Sequence, residues 1–325
     1  MQYTTLGRTG LRVGVAGLGC GGFSRLGLGT GKSEADAIAL VREALELGVN
    51  LLDTAAVYGT EAVIGAAIKP VARDSLVITT KSAIHRGEEL LSAETVIANL
   101  DQSLKLLDTD YVDAFMLHGV PPSAYGHAKE VIVPALLREK QKGKFRHLGI
   151  TETAPLDPTH IMLGRAMDDD IWDIVMVGFH LMHQNARDTV FARSVQQNVG
   201  TLMMFAVRNI FSRPERLAET MRELVAVGEL PEHFAQTPNP LNFLIHDGGA
   251  DSLTDAAYRY VRHEPGADVV LFGTGDANHL RTNIASILKP PLPDTDRQTL
   301  AALFSRLVGV GLDQPGHATP APAKP

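Results

Sequence analysis

Four side chains able to exchange or steer protons sit near the ends of short apolar runs. Asp53 closes Leu51-Leu52-Asp53, Tyr58 follows in Val57-Tyr58-Gly59, Lys81 closes Ile78-Thr79-Thr80, and His118 closes Phe115-Met116-Leu117. Together they suit proton delivery to a carbonyl oxygen as hydride reaches the carbon. A phenol titrates near ~10 and is a weak acid at neutral pH. An adjacent ammonium favours the phenolate and lowers that value, and a carboxylate keeps the ammonium charged and in place. A histidine can hydrogen-bond the substrate oxygen and orient it. Each residue alone has a plainer reading: Asp53 and Lys81 as a structural ion pair, Tyr58 as a packing tyrosine, His118 as a satisfied rim histidine. Their recurrence at successive strand ends favours the chemical reading.

These residues need a scaffold that brings strand ends together. The sequence predicts a hairpin over 2–5 and 11–15, turning at Gly7-Arg8-Thr9-Gly10. Eight further runs then read as strands: 15–20, 49–54, 76–81, 113–118, 146–151, 174–179, 201–207 and 268–273. They are rich in Val, Ile, Leu and Met and almost continuous, as strands buried on both faces are. Amphipathic helices are predicted over 33–47, with Ser33 and Asp36 placed as a capping box, and over 92–107 behind Ser92. Others follow over 128–144, 186–198, 253–263 and 278–288, and a final helix over 296–308.

The alternation predicts the α/β class, a closed (β/α)8 TIM barrel with an N-terminal hairpin and a C-terminal helix. An open doubly wound sheet is the alternative. It would need a phosphate loop opening a helix directly after its first strand, whereas Gly17-Leu18-Gly19-Cys20-Gly21-Gly22 meets no helix start until Ser33. An insertion at 208–251 between the seventh and eighth strands, holding a helix over 214–227, falls at the C-terminal mouth where barrel active sites form. The chain divides into one barrel domain over 1–312 and a Pro/Ala-rich tail over 313–325 expected to be disordered.

Bulk composition narrows the partners. The 325 residues carry 37 acidic and 30 basic side chains, a formal charge of −7, and no long basic run, which argues against nucleic acid and anionic membranes. The single cysteine, Cys20, permits no intrachain disulfide and suits the cytoplasm. No secretory leader and no apolar run of membrane-spanning length is read in the sequence. The histidines lack metal-ligand spacing, so no metal is expected. The sequence carries no signature of oligomeric state.

The tetrad Asp53, Tyr58, Lys81 and His118 resembles the catalytic set of the aldo-keto reductases. The strings Gly48-Val49-Asn50-Leu51-Leu52-Asp53-Thr54-Ala55, Tyr58-Gly59, Thr80-Lys81, Tyr111-Val112-Asp113 and Leu117-His118 match in order, as does the opening Leu6-Gly7-Arg8-Thr9-Gly10-Leu11-Arg12-Val13. The resemblance implies a nicotinamide-dependent oxidoreductase that interconverts an aldehyde, ketone or aldose with its alcohol or lactone. It implies Tyr58 as general acid/base, Lys81 as its tuner, Asp53 as the partner of Lys81, and His118 as the orienting group. It implies an NADP(H) or NAD(H) cofactor across the barrel mouth, with Phe205 stacked on the nicotinamide. Gly22, Thr151, Gly273, Thr274, Gly275, His279 and Asn283 would be further cofactor contacts. Free amides at the start of the helix after strand eight would receive a phosphate.

The sequence departs from that family at two positions. Thr151-Glu152 stands where many members have Ser-Asn, and Met176 stands where many have Gln, so contacts to the nicotinamide carboxamide are expected to change. Asp276 in the loop after strand eight would repel a 2′-phosphate and favours NAD(H). The strings Leu148-Gly149-Ile150-Thr151 and Phe179-His180 are more similar to the galactose and aldose dehydrogenase branch. Two rival readings remain: a weakly catalytic, redox-sensing cofactor-binding subunit, and a barrel aldolase with Lys81 as Schiff-base lysine. Substrate choice rests with the mouth loops at 23–31, 120–127 and 208–251, none of which carries a readable code.

Overall fold

Eight short runs of β-branched and long apolar residues close on one another in chain order. In the computed structural model, which describes residues 1–313, the barrel strands are β3 (Ala16–Gly19), β4 (Leu51–Asp53), β5 (Val77–Ala83), β8 (Val112–Val120), β9 (Phe145–Glu152), β10 (Ile174–Gly178), β11 (Gly200–Met204) and β12 (Val269–Phe272). Each pairs in parallel with the next, and β12 pairs back onto β3. This is the predicted closed (β/α)8 barrel. Of the tail expected over 313–325, all but Asp313 lies outside the described residues.

Side chains alternate along a strand, so every second residue enters the barrel. Leu51, Val77, Ala114, Met116, Ile174, Met176, Leu202 and Val269 form one buried inner cluster. The hairpin β1 (Tyr3–Thr5) and β2 (Arg12–Gly14) adds Leu6 and Val13 to it, and so seals the base. A fully buried Leu or Val contributes about 1.5–3 kcal/mol relative to exposure. Outward residues such as Leu18, Leu52, Ile78, Phe115 and Val175 join the larger core beneath the helices.

The helix starts were legible because their caps are chemical. The Ser33 hydroxyl accepts from the Asp36 amide and Asp36 accepts from the Ser33 amide ahead of α1 (Glu34–Glu46). Ser92 caps α3 (Ala93–Leu107). Two elements escape sequence periodicity: α2 (Glu61–Ile68), apolar almost all round, and the small hairpin β6 (His85–Arg86) and β7 (Glu89–Leu90). The helix expected over 128–144 begins earlier, as α4 (Tyr125–His127), passes through a wide π turn over Ala128–Ile132, and continues as α5 (Val133–Gln141). The short α6 (Ile161–Ala166) was also unpredicted, and α7 (Ala192–Gln197) is preceded by another π turn over Arg187–Phe191.

The insertion holds α8 (Asn209–Ser212) and the expected helix α9 (Pro214–Ala226). Helices α10 (Leu253–Arg262), α11 (Ala277–Leu288) and α12 (Asp294–Phe304) complete the ring. Among the described residues no helix is long and apolar enough to cross a membrane.

Candidate active site

The strand register builds the site one layer above the apolar plug. Asp53 shares a strand face with Leu51, Lys81 with Val77, and His118 with Ala114 and Met116. Below these residues the inner face is apolar except for Thr79 on β5, and the layer at the C-terminal mouth is ionisable. Lys81 Nζ donates to Asp53 Oδ1 at 2.6 Å and to the Thr54 carbonyl at 2.7 Å. Thr79 Oγ1, not singled out from the sequence, donates to the same Asp53 oxygen at 2.5 Å. It lies on the inner face of β5 two residues before Lys81, which is the signal that could have found it. Lys81 is fully buried and Asp53 nearly so, at 0% and 4% exposure.

Tyr58 stands on a short turn after β4, over Ala56–Tyr58. Its hydroxyl lies 3.3 Å from His118 Nε2, and its ring packs edge-on to the imidazole with centroids 5.4 Å apart. Lys81 Nζ is 5.4 Å from the centroid of the Tyr58 ring. The ring can occupy this place because residue 21 is glycine. A Cβ on Gly21 would fall 2.4 Å from Tyr58 Cε2. All four residues predicted for the tetrad are thus brought together.

Electrostatics set the protonation states. Burial works against the Lys81 ammonium, but Asp53 and Tyr58 more than offset it, and the amine holds its proton above the ordinary lysine range. An ammonium held by two acceptors has no lone pair to attack a carbonyl, which argues against the Schiff-base rival. Burial pushes His118 down to about 3, helped by the Lys81 charge, so its imidazole is neutral at pH 7. Tyr58 departs from the simple expectation. Burial raises its phenol above the ordinary value, and the opposing pull of Lys81 does not overcome this.

The predicted cofactor contacts form a second arc of the mouth. Thr151 Oγ1 accepts from the Gly119 amide at 2.7 Å, which leaves its O–H to donate elsewhere. Phe205, just past β11, is a non-glycine residue in left-handed backbone at φ 71°. That conformation costs about 1–3 kcal/mol and is retained where surrounding structure enforces it, often at functional sites. Gly22, at φ 68°, is exposed, as are Gly273 and His279, while Gly275 and Asn283 are half-buried and Thr274 is buried.

The structure places both departures from the family pattern and corrects one further expectation. The Glu152 side chain is buried at the end of β9, accepting from the Gly178 amide at 2.8 Å and lying 2.8 Å from His160 Nδ1. Met176 is buried among the inner apolar side chains of the barrel, in register with Thr151. The amides at the start of α11 are not all free: Asp276 Oδ1 accepts from Asn278 N at 2.8 Å and His279 N at 3.0 Å.

Further along α11, Arg281 pairs with Glu43 at 2.6 Å and donates to Asn278. Gly275 is wedged against the loop after β3, where a Cβ would sit 2.5 Å from Gly27 Cα, so no side chain fits there. Among the described residues no His, Cys, Asp or Glu cluster is arranged to hold a metal.

Comparison with known proteins agrees with the geometry. A model of the Aldo/keto reductase family matches residues 17–304. An L-galactose dehydrogenase of Arabidopsis thaliana is 35% identical over 186 residues, covering 55% of this chain and 57% of that protein. The methylglyoxal reductase DkgB of Salmonella typhi is 43% identical over 134 residues, covering 40% of this chain and 48% of that protein. The chain thus aligns with about half the length of these two relatives. A solved aldo-keto reductase from Bacillus halodurans in its holo form superposes with a TM-score of 0.70 at 22% identity, over 94% of this chain and 96% of that one, which shows the shared fold. With a family match over most of its length and a closed eight-stranded barrel, the chain belongs to the aldo/keto reductase family.

Proposed function

We propose that the protein is a nicotinamide-dependent oxidoreductase that interconverts a small aldehyde, ketone or aldose with its alcohol or lactone. The observation that carries this is the assembled tetrad, with Lys81 bound to Asp53 at 2.6 Å and the Tyr58 hydroxyl 3.3 Å from His118 at the barrel mouth. The bound cofactor supplies or accepts hydride. The residues present fit it: the Phe205 ring offers a stacking face and the Thr151 hydroxyl a spare donor at strand ends beside the tetrad. Gly22 and the segment from Gly273 to Gly275 with His279 and Asn283 line the path for its remaining length.

The chain's own part is proton handling and orientation. In reduction, Tyr58 donates its phenolic proton to the carbonyl oxygen. Neutral His118 hydrogen-bonds the same oxygen and sets its approach. Lys81, held charged by Asp53, stabilises the phenolate left on Tyr58. In oxidation the phenolate takes the proton back. Asp276 at the start of α11, with Arg281 drawn to Glu43, favours NAD(H) over NADP(H). The likeness to an L-galactose dehydrogenase and to a methylglyoxal reductase supports aldoses and small aldehydes as the first substrates to test.

The test is a fluorescence titration with NADH and NADPH, followed by turnover of methylglyoxal and an aldose panel, on wild type and Tyr58→Phe. Wild type is expected to bind NADH at least about tenfold tighter than NADPH, a difference of about 1.4 kcal/mol. Tyr58→Phe is expected to keep cofactor affinity and lose about 100-fold or more in kcat. Equal turnover in the two proteins would remove Tyr58 from the mechanism. Binding without turnover by wild type would favour a sensing subunit.

A further inference from the structure

Glu152 departs from the family pattern, and the tetrad chemistry leaves it without a task. The ladder between β9 and β10 ends where Thr151 faces Met176. Two residues further along β10, the Gly178 amide lies past the last backbone pair. The Glu152 carboxylate supplies the acceptor that the ladder no longer does, with Oε1 receiving that amide at 2.8 Å. On the opposite edge, Gly178 is in register with Met204 of β11, and the Phe179 amide donates to the Met204 carbonyl at 3.2 Å. Phe205 follows directly, half-buried and in left-handed backbone. Its ring lies against Gly178, where a Cβ would fall 3.3 Å from Phe205 Cδ2 and 2.7 Å from Ala154 Cβ. The Gly178 backbone is therefore one wall of the space that holds the Phe205 ring.

The carboxylate is itself held. Glu152 Oε2 lies 2.8 Å from His160 Nδ1, and both side chains are buried. His160 Nε2 lies 3.2 Å from Asn185 Oδ1, while Asn185 Nδ2 donates to the Pro158 carbonyl at 2.7 Å. His160 occupies left-handed backbone at φ 57°, which is disfavoured for a residue with a Cβ. A buried acid–imidazole pair is costly to desolvate, and apolar side chains of similar volume are often as stable in its place. Both carboxylate oxygens are engaged and buried, so Glu152 reaches the barrel mouth through Gly178.

We propose that Glu152, held by His160, is a positioning residue for the nicotinamide ring: it fixes the Gly178 backbone and, through it, the Phe205 ring on which the nicotinamide stacks. The inference rests on the oxidoreductase reading. The competing explanation is that the pair only stabilises the fold. The two separate by which half of the cofactor responds. A positioning role touches the nicotinamide half alone, whereas a general loosening of the mouth weakens both halves together.

The experiment compares wild type with Glu152→Ala, Glu152→Gln and the double variant Glu152→Met, His160→Leu. The double variant removes the acceptor of Gly178 without stranding a buried charge, so it reports even if Glu152→Ala does not fold. Each is titrated with NADH and NADPH, and with ADP-ribose and its 2′-phosphate, which lack the nicotinamide. Glu152→Ala and the double variant are expected to lose about tenfold in affinity for the preferred dinucleotide and to bind its nicotinamide-free counterpart within about twofold of wild type. Their kcat for methylglyoxal should fall about tenfold or more, because a displaced ring misaligns hydride transfer. Gln can accept from Gly178 and donate to His160, so Glu152→Gln should recover affinity and kcat to within about threefold. The proposal is overturned if the double variant binds and turns over as wild type does, if dinucleotide and nicotinamide-free ligand weaken together, or if Glu152→Gln fails as Glu152→Ala does. In each of these cases turnover by wild type leaves the oxidoreductase reading standing. Should wild type bind none of the four ligands, that reading and this one fall together.

Discussion

Tyr58 holds its proton more tightly than a free phenol, because burial outweighs the pull of Lys81. The sign of the pH dependence follows. Reduction needs the protonated phenol, so kcat for carbonyl reduction should stay level from neutral pH up to about 10. Oxidation needs the phenolate and should climb with pH over the same range. Paired kcat profiles in the two directions test this, and a reductive limb that falls between pH 7 and 8 would contradict it. The tetrad itself was legible because residue type and strand-end position coincide in the sequence. The raised phenol was not, since it depends on how deeply the ring packs beneath Gly21 and His118. The partners of Glu152 were not legible for a related reason: sequence gives its position on the strand, while its contacts with His160 and Gly178 depend on how neighbouring elements pack.

At the scale of elements, α11 joins stability to cofactor choice. The Asp276 carboxylate caps the helix through the amides of Asn278 and His279. Replacing Asp276 with Ala should cost about 1 kcal/mol of stability through the lost cap. It should also free both amides and remove a negative charge, so the ratio of NADPH to NADH affinity should rise by roughly tenfold. Denaturant melts and parallel fluorescence titrations measure the two effects. An unchanged ratio would mean that Asp276 does not face the ribose end of the cofactor. Caps were the most readable feature of the helices, at Ser33 and Ser92 alike. Helix α2 was hidden because Ala, Val and Ile occupy nearly all its faces and leave no polar stripe. The π turns at Ala128–Ile132 and Arg187–Phe191 were hidden because sequence periodicity does not distinguish them from α-helix.

For the molecule as a whole, four buried or half-buried histidines, with His263 lowered by burial among them, shape the acid limb. Burial brings His118 and His183 down to about 3 and places His180 well below the ordinary imidazole range. Groups with depressed folded values bind more protons when unfolded, so stability is complete above the ordinary imidazole value and falls as pH drops from about 6.5 towards 3. Each contributes a slope of up to about 1.4 kcal/mol per pH unit. His160, raised by its contact with Glu152, opposes the trend. Urea midpoints between pH 7.5 and 4.5 should therefore decline steadily, and a flat profile would show that these rings are hydrated in solution. The barrel as a whole was readable from eight apolar runs and their spacing, because parallel strands buried on both faces leave few other arrangements. Its base, however, is stoppered by the hairpin, with Leu6 and Val13 inside the inner cluster. With the interior filled and the base closed, the tetrad can be approached from the C-terminal mouth alone. Under the proposed chemistry cofactor and substrate then share one doorway, and hydride passes between them in a ternary complex assembled there.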